Sequence, residues 1–128
     1  MSDQRFPKEL RIRSQADFDR VYAARAFAAD DVLVVNGGAS DCQHPRLGLS
    51  ISRKVGNAVT RNAWKRRIRE AFRLVREQLP AGVDLVVRPQ QGAKCELEAI
   101  ARSLPALSKR VARKLAGLKR RSPSEPAP

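Results

Sequence analysis

Between Gly56 and Arg76 the chain reads G-N-A-V-T-R-N-A-W-K-R-R-I-R-E-A-F-R-L-V-R, and two patterns of helical period run through it. Trp64, Ile68, Ala71, Phe72, Val75 and Leu79 recur at i, i+4, i+7, i+8, i+11 and i+15, an apolar stripe that needs a partner surface. Arg61, Lys65 and Arg69 follow one another four residues apart on a neighbouring face, extended by Asn62, Arg66 and Arg73, with Arg67 on the flank. No acidic residue stands between Arg61 and Arg69. Like charges at i, i+4 cost roughly 0.2–0.5 kcal/mol per pair in an isolated helix. An unrelieved column therefore points to a polyanion as the missing counter-charge, and the plainer alternative is a solvated basic face.

The whole chain favours the polyanion. Its 128 residues carry a formal charge of +13 and a pI near 11.2, with a globular 42% of apolar residues. Such an imbalance predicts binding to nucleic acid or another anionic surface and says nothing of fold. The length suits one domain with one modest core. Cys42 and Cys95 are far apart and lack a C-x-x-C partner, which fits a reducing cytosol and a cytoplasmic location better than a disulfide framework. No run of 18 apolar residues exists to span a membrane, the N-terminus lacks the apolar core of a secretory signal, and no internal repeat is visible.

Taken in order, residues 1–13 read as a mobile basic N-terminus, residues 14–118 as the folded domain and residues 119–128, proline-rich and polar, as a disordered tail. Ser14 is an expected N-cap for a helix over Gln15 to Ala26, with Asp17 in its first turn and Phe18, Val21 and Tyr22 on its apolar face. Asp30-Asp31 punctuates, Val32 to Val35 is a β-branched strand, and Asn36 to Asp41 is a turn or short loop. Arg46 to Ser52 alternates: Leu47, Leu49 and Ile51 point one way, Arg46, Gly48, Ser50 and Ser52 the other. The small residues on that second face leave room for a polymer, although an edge strand in water has the same composition. Arg53 to Asn57 leads into the basic helix, which Pro80 and Gly82 end, and Val83 to Val87 forms another strand. Strand, helix and strand over Leu47 to Val87 make a crossover unit in one sheet. Lys94 to Leu104 and Ala106 to Leu118 have helical spacing, and Pro105 should kink or split them.

Ala58, Arg61, Asn62, Lys65, Arg66 and Arg69 fit A-x-x-R-N-x-x-K-R-x-x-R, six positions within twelve residues, after a strand L-G-L-S-I-S-R-K-V-G. This pattern resembles the signature of the protein subunit of bacterial ribonuclease P. The similarity continues through F-x-x-V-Y at Phe18 to Tyr22 and V-D-L-V-V-R-P downstream, covering roughly Arg11 to Ile100.

The resemblance implies a small α/β (α+β) sandwich, similar to ribosomal protein S5 domain 2. It has a mixed four-stranded sheet, and the basic helix lies in a left-handed β-α-β crossover, against the usual hand. It also implies that a catalytic RNA removes the 5′ leader of precursor tRNA with bound Mg²⁺, held mainly through that RNA. The protein would bind both RNAs and need no protein partner. Carried over by position, Arg53, Lys54, Asn57, Arg61, Asn62, Lys65, Arg66 and Arg69 are RNA contacts, and Arg67 joins them from the flank. Phe18 and Tyr22 match aromatics of a cleft that takes the single-stranded leader. The chain departs from the pattern at Ala63, where a basic or long polar residue is commoner, and at Trp64, usually aliphatic and here expected in the core. Val35 stands near where many members carry an aromatic.

The chain alone has little with which to hydrolyse a phosphodiester. A two-metal nuclease needs several converging carboxylates, and the close acidic pairs are only Asp17/Asp19, Asp30/Asp31 and Glu96/Glu98. A lone His44, two residues after Cys42, makes neither a metal site nor a nucleophile–base pair. Any metal held by the protein itself stays unknown. The competing reading is a basic rRNA-binding structural protein of the ribosome, with no part in cleavage. A membrane-surface binder is disfavoured because the basic helix needs its apolar stripe for the core.

Overall fold

A computed structural model of the chain describes residues 10–12 and 14–120, without the side chains of 119 and 120. Helix α1 (Gln15–Ala23) precedes strands β1 (Ala26–Ala29), β2 (Leu33–Ala39) and β3 (Arg46–Leu49). A single 3-10 turn (Arg53–Val55) leads to helix α2 (Ala58–Val75), then strand β4 (Val83–Pro89) and helix α3 (Leu97–Arg120). The sheet runs β1-β2-β4-β3, with β1/β2 and β2/β4 antiparallel and β3/β4 parallel. The mixed four-stranded sheet and the crossover through α2 are therefore present.

The period-2 register sorts each strand into two faces. Leu33, Val35, Leu47, Leu85 and Val87 lie under α2 and α3. There they meet Trp64, Ile68, Ala71, Phe72 and Val75 from one helix and Ile100, Leu104, Leu107 and Val111 from the other. Trp64 is thus core, as its place in the stripe predicts. The opposite face carries a smaller cluster, Ile12, Val21 and Val86 with Phe18 against it, beneath α1.

The structure differs from the sequence reading at four places. The first helix stops at Ala23 rather than Ala26. The chain turns through Arg25, at φ 56°, into β1, whose Ala-Phe-Ala-Ala sequence has no strand bias of its own. Asn36 to Gly38 lie within β2 rather than in a loop. A Cβ on Gly37 would come within 2.3 Å of Val111 Cγ1, and one on Gly38 within 3.1 Å of Val21 Cα. These glycines let helices approach both faces of a central strand. Pro105 sits inside an unbroken α3. Its roughly 3 kcal/mol cost is offset by Ile100, Leu104, Leu107 and Val111, which are buried on both sides of it, at about 1.5–3 kcal/mol each. Finally, Leu10 and Ile12 are buried, and the Ile12 N–H donates to Leu47 O at 2.9 Å, so this part of the N-terminal segment is packed against β3. The rest of that segment, residues 1–9 and 13, and the tail from 121 lie outside the described residues.

One acidic side chain ties α1 to the sheet. Asp84 on β4 is fully buried. Arg46 donates to it through Nε at 2.8 Å and Nη2 at 2.6 Å, and Arg20 of α1 donates to the same carboxylate and to Ala39 O. Asp17 completes the cluster, 3.3 Å from Arg20 and 3.6 Å from Arg46. Burial alone would raise the pKa of Asp84, but the hydrogen bonds from Arg46 and Arg20 outweigh it and hold the carboxyl below the usual range. A depressed folded pKa gives stability that is complete above the unfolded value of ~3.9 and is lost as pH falls through the folded value. Asp84→Asn should therefore cost about 2–3 kcal/mol in urea unfolding at neutral pH. That lies below the ~3–5 kcal/mol of fully buried pairs because both arginines reach water. The gap between variant and parent should narrow on acidification below pH ~4; a gap of constant size across that range would show that the carboxylate contributes no pH-dependent stability.

Candidate RNA interface

Helix α2 presents the basic residues on a rigid support because its apolar stripe is committed to the core. Its N-cap is Asn57, whose side-chain oxygen accepts from Thr60 N–H at 2.9 Å. That oxygen is therefore occupied in capping, and only the amide end of Asn57 remains for RNA. Arg53 and Lys54 on the preceding 3-10 turn are exposed, as are Asn62, Arg66 and Arg69 on the helix, while Arg61 and Lys65 are half-buried. Arg61 Nε donates to Gly56 O at 3.2 Å, which fixes its guanidinium over the helix start. Arg67 points elsewhere: its Nη1 donates to Cys95 O at 3.0 Å, tying α2 to the approach of α3. It is the expected contact that the structure separates from the group.

Among the described residues none of these cations makes an ion pair within 4.0 Å; the four pairs present all belong to the Asp17, Asp84, Arg20 and Arg46 cluster. Instead a further cation is added. Partial burial, and then the charge of Arg11, lower the pKa of the Arg69 guanidinium. The folded chain thus holds two positive side chains close enough to disfavour each other, as a polyanion site requires. Arg11 was not among the expected contacts. The alternation of Leu10, Arg11, Ile12 and Arg13 was the available signal, a short strand pattern inside a segment read as mobile.

The second part of the interface is the sheet face that α1 covers incompletely. Phe18 is half-buried against Val21, Val86 and Ile12, and a Cβ on Gly48 would lie 2.9 Å from its ring. The space left by Gly48 is therefore filled by Phe18 and is not open to a polymer. Tyr22, one turn on, is 36% exposed and is the freer of the two aromatics. Val35 is fully buried on the helical side, and the neighbouring residue on the α1 side is Asn36. Asn36 is opposite Phe27 of β1, and its side-chain oxygen is buried without a hydrogen-bond partner among the described residues. Phe27 is 50% exposed. Sequence reasoning missed it because the helix was read to Ala26 and no strand was assigned to the residues that follow.

Residues 6–112 match the family model for ribonuclease P. The chain belongs to the ribonuclease P protein family. It is 42% identical to the ribonuclease P protein component of Staphylococcus haemolyticus over 87 residues, covering 68% of this chain and 75% of that one. It is 39% identical to that of Desulfovibrio desulfuricans over 116 residues, 87% and 89% of the two chains. The solved structure of the Staphylococcus aureus RNase P protein superposes with a TM-score of 0.67 at 37% identity, covering 78% of this chain and 93% of that one. A subunit role in ribonuclease P follows, and the ribosomal alternative is not favoured.

Among the described residues the donor set offers no cradle for Mg²⁺. No group of three or more His, Cys, Asp or Glu side chains comes together among the described residues. Asp84 and Asp17 are engaged by arginines. Asp30 accepts from the N–H groups of Val32 and Leu33 at 2.8 and 2.9 Å and from Ser103 Oγ. Among the described residues no helix is long and apolar enough to cross a membrane.

If the α2 column meets phosphates, Arg61→Ala with Lys65→Ala should flatten the salt dependence of binding to the catalytic RNA. The slope of log K against log salt should fall by about 1.4, at ~0.7 per single-strand phosphate. A salt titration of the double variant with the parent slope would remove these two residues from the interface.

Proposed function

We propose that this chain promotes removal of the 5′ leader from precursor tRNA by binding two RNAs at once. The exposed cations Arg53, Lys54, Arg66 and Arg69, with Arg61, Lys65, Asn62, Arg11 and the free end of Asn57, engage the catalytic RNA. The cleft beside Tyr22 and Phe18 takes the single-stranded leader. The observation that carries this reading is the row of cations on α2 and on the 3-10 turn before it, none of which has an acidic partner within ion-pair distance among the described residues.

Neutralising phosphates lowers the repulsion between two polyanions, so less Mg²⁺ is needed to bring them together. Cleavage is left to the RNA subunit with its bound Mg²⁺, and the protein alone is inactive. Its part is positioning: it holds the leader and the catalytic RNA in one geometry and so converts an encounter of two flexible polymers into an ordered one. No further protein partner is needed, and the assembly works in the cytoplasm.

The cleft aromatics carry different loads. Phe18 supports α1 and offers one edge to the cleft, whereas Tyr22 presents a face on which a base can stack, a contact worth roughly 1–3 kcal/mol. Reconstitution with a bacterial ribonuclease P RNA at limiting Mg²⁺ tests the reading. Leader cleavage should rise at least tenfold on adding the protein, and the protein without RNA should release no leader; equal turnover with and without it would end the proposal. Tyr22→Ala should weaken binding of precursor tRNA by about fivefold or more and leave mature tRNA unaffected. Equal losses on both would remove the leader from this cleft.

A further inference from the structure

A second basic site lies away from α2, where the end of α1 meets the C-terminal half of α3. Arg25, Arg110, Arg113 and Lys114, with Gly117 and Leu118, line an open groove of about 510 Å³, within the ~300–1,000 Å³ of ligand clefts. Among the described residues none of the four cations makes an ion pair within 4.0 Å. Asp30 lies near enough for Arg110 to lower its pKa, so Arg110 is partly balanced, and Arg25, Arg113 and Lys114 are not.

The dipole of α3 favours cations within its last turn only, and Arg113 and Lys114 stand further back from its end at Arg120. Nor does it account for Arg25, which comes from another element. Arg25 adopts φ 56°, a conformation that glycine or asparagine takes at less cost. The chain therefore keeps an arginine at a strained turn where its side chain lines this groove.

The groove on the α3 side meets the α1 side of the sheet at β1, where Lys114 reaches Phe27. The Arg25 N–H donates to Tyr22 O at 3.1 Å, so the arginine follows directly on the exposed cleft aromatic. Lys114 Nζ donates to Phe27 O and lies 5.3 Å from the centre of the Phe27 ring, which is half exposed on the same sheet face as Asn36. An aromatic next to unpaired cations is how single-stranded nucleic acid is held: bases stack and phosphates follow the basic track.

We propose that Phe27 and the groove of Arg25, Arg113 and Lys114 form an exit platform for the part of the leader that lies beyond the cleft. One base stacks on Phe27, and the following phosphates lie against the three cations. The site takes single-stranded RNA without base-specific readout. The inference rests on the reading of the Tyr22 cleft as the leader site.

The test uses the reconstituted complex and precursor tRNAs with leaders of about four and about twelve nucleotides, which bracket tracts that small single-strand-binding folds hold. The quantity read is the ratio of affinities, long leader over short. Phe27→Ala should lower it about fivefold, the lower end of what one base–aromatic stack contributes, and Arg113→Glu should lower it and flatten the salt dependence for the long leader only. Arg25→Asn, which keeps the turn geometry, serves as the variant least disturbing to folding, and thermal unfolding of each variant reports on the fold. An unchanged ratio overturns the proposal and returns the groove to solvent. Equal losses on both leaders also overturn it, because the groove would then contact the catalytic RNA or the tRNA body. The Tyr22→Ala comparison carries no groove substitution, so failure of the cleft reading is seen separately.

Discussion

A single carboxylate holds this sheet's second face in register. Asp84 has no access to water, and Arg46 from the neighbouring strand and Arg20 from α1 both donate to it. A buried charge of this kind is tolerable only while it is paired, and loss of either arginine leaves part of the carboxylate uncompensated. The pairing therefore specifies where α1 sits more than it adds to stability. Arg20, in the last turn of α1, also donates to Ala39 O, so the end of the helix that carries Tyr22 is the one held to β2 and β4.

On the other side the constraint is hydrophobic. Trp64, Ile68 and Phe72 lock α2 onto strands whose inward residues are almost all branched aliphatics. That burial lets the opposite stripe of α2 carry cations with no acidic neighbour within ion-pair distance among the described residues. The repulsion is a few tenths of a kcal/mol per pair, small beside the apolar burial. Arg11, brought beside Arg69 by the pairing of Ile12 with Leu47, adds to the same field. Apolar burial and positive charge are thus assigned to different faces of one helix.

The two basic regions differ in origin. The α2 face is continuous in sequence, so its cations share a helical period and could be found by counting. The α3 groove gathers Arg25 from a turn, Lys114 from a helix more than eighty residues later and an aromatic from a strand between them. No local pattern marks such a site, because its members are related only by packing.

The same distinction runs through the whole chain. Periodicity alone determined α2, its buried stripe, the alternation of β3, the β3–α2–β4 crossover and the cationic face of α2, because each is a local consequence of side-chain spacing. Only tertiary structure decided the rest. Ala26–Ala29 becomes a strand through pairing with β2, and Gly37 and Gly38 stay in that strand because α3 and α1 press on its two faces. Pro105 remains helical because the apolar burial around it exceeds the cost of one missing hydrogen bond. Arg67 was counted with the RNA-facing cations on spacing, and only the folded chain showed that its Nη1 donates to the carbonyl of Cys95. Asp84 read as one polar residue in an apolar strand, and its role required two arginines that are distant in sequence. Spacing sets which way a side chain points, and only the folded chain decides what it meets there.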